Sequence, residues 1–252
     1  MTQPTTSDRG AELDATTTAA PKKPEKSSLL DDFMDIFYSP SAVFARRENR
    51  DFWIPMIIVT VLLGAVFIAN RDLIDPIMEA EFARAMAKNS QNLTPDQLAA
   101  GRKIAGTFAT IGAFVGAPIA MLVIGLLIWI VGKFVDAKQS LNAAIVVATF
   151  SYVPRVVEGV VNRIQGFVVD PSSLTSRYSL SLGVGRLLDP DATSPILLGL
   201  VGRIDLFTIW ITVLIGIGIA VTGKVSRARA AIAAAVVWLL GALPSLAGAL
   251  RQ

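Results

Sequence analysis

Five polar residues recur at alternating spacings of four and three in ATFSYVPRVVEGVVNRIQGFVV, residues 148–169: Ser151, Arg155, Glu158, Asn162 and Gln165. At about 100° per residue, this spacing gathers them on one stripe of a helix. Val153, Val156, Val157, Val160, Val161, Ile164 and Val168 fall on the other side. Arg155 and Glu158 stand at i,i+3, within pairing reach. Two readings fit. If the stripe faces the interior of a membrane bundle, the paired guanidinium and carboxylate mark a pathway or a bound-ligand site. If it faces outward, the second half of the helix lies near the membrane interface and the same groups touch water or headgroups. Arg163 stands off the stripe, where its long stem can reach a headgroup. Asp205 is another acid beside an apolar segment. It is either a helix-start residue favoured by the dipole or a partner for Arg155.

The rest of the reactive inventory is thin. The chain has no Cys and no His. That excludes thiol nucleophiles, disulfides and Cys/His zinc sites, together with His-mediated acid–base chemistry and the usual near-neutral pH switch. Gly216 and Gly218 in LIGIGIA are not a phosphate loop, because they sit inside an apolar run with no strand before them. No basic stripe interleaved with aromatics supports nucleic-acid binding. No catalytic residue, cofactor-binding residue or metal ligand is assigned, and no cofactor is expected. A lipid-directed enzyme would have to use Arg155, Glu158 and Asp205, without a nucleophile or a metal cage beside them.

These groups are positioned by membrane helices. Apolar residues make up 53% of the chain and charged ones 17%, below the roughly 25% charge of soluble domains. The apolar residues collect in blocks of bilayer-crossing length. The fold class is all-α: a polytopic integral membrane helical bundle of five transmembrane helices, preceded by an N-terminal interfacial amphipathic helix. Residues 1–27, rich in Thr, Pro, Ala and Lys, read as a disordered tail without the apolar core of a signal peptide. Residues 28–251 form the membrane domain.

An amphipathic elbow over residues 28–47 opens it. Ser28 caps the first helix, with Asp31 and Asp32 in its first turn. Ser39 caps the second and Pro40 takes its first position, with Val43 and Phe44 buried and Arg46 and Arg47 outward. The spans cover about 52–69, 104–132, 141–161, 206–222 and 230–250. Thr94, Pro95 and Gln97 form a capping box for a helix that runs on into the second span, which is long enough to require tilt or emergence from the bilayer. Gly112 and Gly116 form a G-x-x-x-G pair on it, a candidate packing seam. Asn92, Leu93 and Thr94 match a glycosylation sequon. Ser194 and Pro195 open a helix leading towards the fourth span.

The third span poses the sharpest problem. Its uncharged run from Leu141 to Pro154 covers roughly 21 Å as a helix, short of a bilayer core of about 30 Å. The periodicity predicts a helix that continues beyond Pro154, since proline kinks a membrane helix without necessarily ending it.

Lys and Arg near the span ends set the orientation. Arg46, Arg47 and Arg50, then Lys133 and Lys138, then Lys224, Arg227 and Arg229 share one side if there are five spans. The N-terminus is therefore expected in the cytoplasm, in a multi-pass protein of the bacterial inner membrane.

DIFYSPSAVFARR, with Phe37, Ser39, Pro40 and Phe44, resembles the start of bacterial members of the Yip1 domain family. ATFSYVPRVVEG resembles the family's central Tyr/Pro-containing motif through Ser151, Tyr152 and Pro154. Asp205, Phe207, Trp210, Gly216, Gly218 and Arg229 resemble its C-terminal pair of spans. The resemblance implies a five-span helical protein with a cytoplasmic N-terminus. Eukaryotic members act in vesicle traffic and associate with prenylated small GTPases, and they carry Tyr-Gly-Pro in the first motif. This chain has Tyr38-Ser39-Pro40, a departure that argues against GTPase binding.

The function expected is that of a non-enzymatic scaffold or accessory subunit in membrane organisation, trafficking or transport. Its expected partners are membrane lipid and other membrane proteins or a second copy of itself. The alternative is a small oligomeric transporter or channel that uses the stripe. Its candidate functional seam is Ser151, Tyr152, Pro154, Arg155, Glu158, Asn162 and Gln165, with Asp205.

Overall fold

The structure, a computed structural model, describes residues 28–89 and 94–249. The N-terminal tail, Asn92 and Leu93 of the sequon, and Leu250 and Arg251 lie outside these residues. Among the described residues the regular elements are helices, and the β contact between Gly183 and Asp205 is an isolated antiparallel bridge.

Helices α1 (Leu29–Tyr38) and α2 (Pro40–Arg47) form a hairpin. Ser28 and Asp31 make a reciprocal capping box: the Asp31 N–H donates to Ser28 Oγ at 3.2 Å, and the Ser28 N–H donates to Asp31 Oδ2 at 2.7 Å. Pro40 takes the first position of α2, but the Ser39 side chain makes no capping bond. Its backbone N–H instead donates to Asp35 O at 2.7 Å and closes α1. The chain reverses there, and the side chains of α2 return along those of α1.

Arg46 and Arg47, expected to face outward, turn back onto α1. Asp32 is fully buried, at 0% exposure, and a buried carboxylate must be paired. Arg46 Nε and Nη2 reach Asp32 Oδ1 at 2.9 and 2.6 Å, Arg46 Nη2 reaches Asp35 Oδ2 at 2.5 Å, and Arg47 Nε donates to Asp32 Oδ2. The apolar side of the hairpin docks on the bundle. Val43 and Phe44 are fully buried. The Phe33 ring lies 5.3 Å from that of Phe150, and Phe37 meets Trp210 edge-on at 5.4 Å.

Helix α3 (Trp53–Ala69) is followed by α4 (Arg71–Asn89), bent from it by 78°. Thr94 and Gln97 form the second capping box and open α5 (Pro95–Lys133), 39 unbroken residues and about 58 Å long. Then come α6 (Leu141–Ser151) and α7 (Val153–Gln165). A polar link with short 3₁₀ turns at Pro171–Ser173 and Val184–Leu187 leads to α8 (Pro195–Val201), capped by Ser194. The chain closes with α9 (Leu206–Gly223), α10 (Arg227–Leu240) and α11 (Leu243–Ala249). Among the described residues four segments are long and apolar enough to cross a membrane: Asp96–Lys133, Leu141–Gln165, Leu206–Gly223 and Arg227–Leu246. The bent pair of α3 and α4 makes a fifth if it counts as one span. The segment Leu141–Gln165 passes through Pro154 as one span.

Helix α6 is the axis of the bundle; every residue from Ala143 to Ser151 is buried. It is approached closely by glycines on both sides. A Cβ on Gly125 of α5 would stand 2.8 Å from the Ile145 Cα, and one on Gly218 of α9 would run into Val147. Gly112 and Gly116, by contrast, face open space. The G-x-x-x-G pair makes no packing seam within the chain, because α5 joins the bundle mainly through a later stripe that includes Met121, Gly125, Ile128 and Val131, all buried.

The basic ends meet at one end of the bundle. The Lys138 N–H donates to Gly223 O at 3.0 Å, Asn142 Nδ2 donates to Arg50 O at 2.9 Å, Lys224 lies 3.8 Å from Glu48, and Arg229 lies 3.0 Å from Asp136. At the opposite end α4, α7 and the polar link are tied by ion pairs, Arg84 with Asp191 at 2.7 Å and Arg163 with Asp72 at 2.6 Å.

Candidate functional site

The stripe lies where α6 passes into α7. Proline has no N–H to donate, so Pro154 cannot continue the hydrogen-bond ladder, and the break falls on Tyr152. The Tyr152 N–H still bonds Ala148 O at 3.2 Å, and the Arg155 N–H restarts the ladder on Tyr152 O at 2.9 Å. The helix therefore passes through the break, and the residues beyond keep the phase of those before it.

Ser151 is fully buried at the head of the stripe, and its Oγ has no hydrogen-bond partner among the described residues. Arg155 Nη1 pairs with Glu158 Oε2 at 2.6 Å, and Arg155 Nη2 donates to Thr208 Oγ1 of α9 at 2.9 Å. Asp205 caps α9: its Oδ1 accepts from the N–H groups of Phe207 and Thr208, each at 3.0 Å. Of the two readings of Asp205, the structure places it in the helix-start role. It meets Arg155 through a shared neighbour, since Thr208 donates its N–H to Asp205 and accepts Arg155 on its hydroxyl. Asn162 and Gln165 lie further along. Gln165 Nε2 donates to Leu180 O at 3.0 Å and to Asn162 Oδ1 at 3.3 Å, and its Oε1 accepts from Arg186 Nη1 at 3.0 Å. The polar link thus covers the far end of the stripe.

These contacts turn the stripe towards α9 and the polar link, with the Arg155 and Glu158 side chains still 33% and 22% exposed. Arg155 borders two cavities. One, about 240 Å³, lies between α3 and α7 and is lined by Asn70, Glu158, Gly159 and Asn162. The other, about 570 Å³, lies among α5, α9 and α10 and takes in Tyr152, Thr208, Arg203 and Trp238. Gly159 permits the close approach of α3, since a Cβ there would collide with Val66, and Asn70 Nδ2 donates to Gly159 O at 3.1 Å. Among the described residues, no three or more His, Cys, Asp or Glu cluster in a way that could hold a metal ion.

Three residues that the periodicity did not single out complete the site. Thr208 bridges Arg155 and the α9 cap. Asn70, at the bend after α3, ties α3 to α7. Arg203 donates to Trp238 O at 3.1 Å and Gly241 O at 3.0 Å, finishing the C-terminal end of α10, and lies over the Trp238 ring at 5.5 Å. Burial, and then the neighbouring Arg155, hold Arg203 below the ordinary guanidinium range. The sequence signal for Arg203 was its place two residues before a capping Asp at the head of an apolar helix. Phe37, Ser39, Pro40 and Phe44 lie away from this site and build the α1–α2 hairpin and its contact with the bundle.

The Yip1 domain model matches residues 34–248, from the first hairpin to the last helix. The chain is also similar to the membrane protein YknW of Bacillus subtilis (strain 168), with 26% identity over 221 residues, 85% of this chain and 86% of that protein. No solved structure matches. With the match running through the hairpin, the α6–α7 break and the α9–α10 pair, the chain belongs to the Yip1 domain family.

Proposed function

We propose that this protein is a non-enzymatic multi-pass membrane protein that works by contact, as a scaffold or accessory subunit in membrane organisation or transport. The observation that carries this reading is how the ionic groups of the stripe are engaged. Arg155 holds Glu158 and Thr208, Asp205 caps α9, and Gln165 holds the polar link. These contacts fasten helices to one another. The basic ends gathered at one end of the bundle support a cytoplasmic placement of that end and of the N-terminus, in a bacterial inner membrane. Its partners on this reading are other membrane proteins or a second copy.

A transporter or channel is the second reading, favoured by the position of Arg155 between two cavities. Reconstitution in ion-loaded liposomes separates the two. On the contact reading, the purified chain gives no flux above protein-free vesicles. Flux that Arg155→Ala or Glu158→Ala abolishes, while the thermal midpoint is retained, would establish the conduit instead. Hydrolase or transferase turnover abolished by one substitution would overturn both.

A further inference from the structure

The cavity of about 570 Å³ among α5, α9 and α10 has a size and composition that neither reading requires. It falls within the roughly 300–1,000 Å³ of small-molecule sites, which are mostly apolar with a few placed polar groups. Its polar groups gather at one end. Arg203 precedes α9, Thr208 is the third residue of α9, Arg155 donates to Thr208, and Gly241 closes α10. Its apolar lining, with Ile124, Leu127 and Ile215, extends towards the middle of the bundle. From Thr208 to Ile215 this is about 10 Å along α9.

Charge and unused donors give the polar end a sign. Arg155 and Arg203 both line the cavity, and among the described residues no carboxylate does. Glu158, the partner of Arg155, faces the smaller cavity on the other side of α7. Asp205 points its Oδ1 at the first turn of α9. A guanidinium carries five N–H donors. Arg203 commits two of its nitrogens to backbone carbonyls, and its buried Nε has no partner among the described residues. Arg155 has donors beyond those given to Glu158 and Thr208. Burial and the adjacent like charge both penalise Arg203, and an anion between the two cations relieves that penalty.

We propose that this cavity binds one anionic phospholipid, with its phosphate held by Arg155 and Arg203 and an acyl chain laid along Ile215 and Ile124. Arginine is suited to the phosphate because its fork makes bidentate, charge-assisted bonds. The chemistry selects phosphate on an acyl chain over free phosphate, since most of the lining is apolar.

Trp238 lines the cavity and serves as the reporter. Among the four tryptophans, Trp53, Trp129 and Trp210 are replaced by Phe. The full chain in neutral maltoside micelles is then titrated with phosphatidylglycerol or phosphatidylcholine, each brominated on the acyl chain. Phosphatidylglycerol is expected to quench Trp238 at about tenfold lower concentration than phosphatidylcholine, which carries the same phosphate but adds a choline cation that the two arginines repel. Arg203→Gln and Arg155→Gln each reduce that preference. Arg227→Gln, at the separate hollow beside α2, leaves it intact. Equal quenching by both lipids overturns the proposal, as does displacement by inorganic phosphate at the lipid's own concentration, which would mean a free-anion site. Native mass spectrometry of the unsubstituted chain in an equimolar lipid mixture gives the same test without relying on any variant's folding: retained phosphatidylglycerol supports the site, and equal retention refutes it.

Discussion

Replacing Asp32 by Ala removes the shared partner of two cations and should open the α1–α2 hairpin. Asp32 is 0% exposed and paired with both Arg46 and Arg47, which are 27% and 18% exposed. Removing one partner of a buried pair costs about 3–5 kcal/mol. Both arginines reach solvent in part and Arg46 keeps Asp35, so the cost falls near the lower end, about 3 kcal/mol. At about 1.4 kcal/mol per tenfold, the open fraction of the hairpin rises by about a hundredfold. The assay follows from the absence of native cysteine. Val43, fully buried under the hairpin, is replaced by Cys, and its maleimide labelling is timed. Labelling proceeds through local opening and therefore tracks its free energy. Asp32→Ala should accelerate it by about a hundredfold. Asp35→Ala removes a contact of a 39% exposed carboxylate and should accelerate it by about fivefold or less. Ile219→Cys, in the buried face of α9, is the control and should stay protected in both. Val43→Cys labelling at an unchanged rate in Asp32→Ala would refute the reasoning; acceleration at both cysteines would show global unfolding and not an opened hairpin.

The glycines of α5 make a paired prediction. Gly125→Leu forces a side chain against the Ile145 backbone and should lower stability by about 1–3 kcal/mol, whereas Gly112→Leu enters open space and should leave the thermal midpoint in detergent unchanged. Asp205→Ala removes both bonds to the first turn of α9 and should cost about 1 kcal/mol, with most of it restored by Asp205→Asn; thermal unfolding of the three proteins side by side checks this order.

Features decided within one turn of helix were legible in the sequence. The cap at Ser28 and the capping box at Thr94 need residues within one turn and nothing else; that Asp31 closes a box with Ser28 was not read from the sequence. The stripe from Ser151 to Gln165 was legible because helical phase survives a proline. Its direction was not, because a stripe can face protein or solvent with the same spacing. Covering it takes Leu180 and Arg186 from the link and Thr208 from α9, all distant in the chain. Arg46 and Arg47 show the same limit. Their own helix gave them an outward face, and it is Asp32, fourteen and fifteen residues earlier, that draws them in. The glycines divide likewise. Gly112 and Gly116 carry the recognisable spacing, yet the helix contact falls on Gly125, because register between helices is fixed by the whole buried face and not by a motif.

The hairpin also bears on how the chain is counted across a membrane. Its two helices fold back on each other, which brings Asp32 near the start of α1 against Arg46 and Arg47 at the end of α2, and the following Glu48 lies 3.8 Å from Lys224. Two helices are added without altering the odd or even number of crossings. A reporter placed at Ser28 is accordingly expected to register the same compartment as one placed at Arg50.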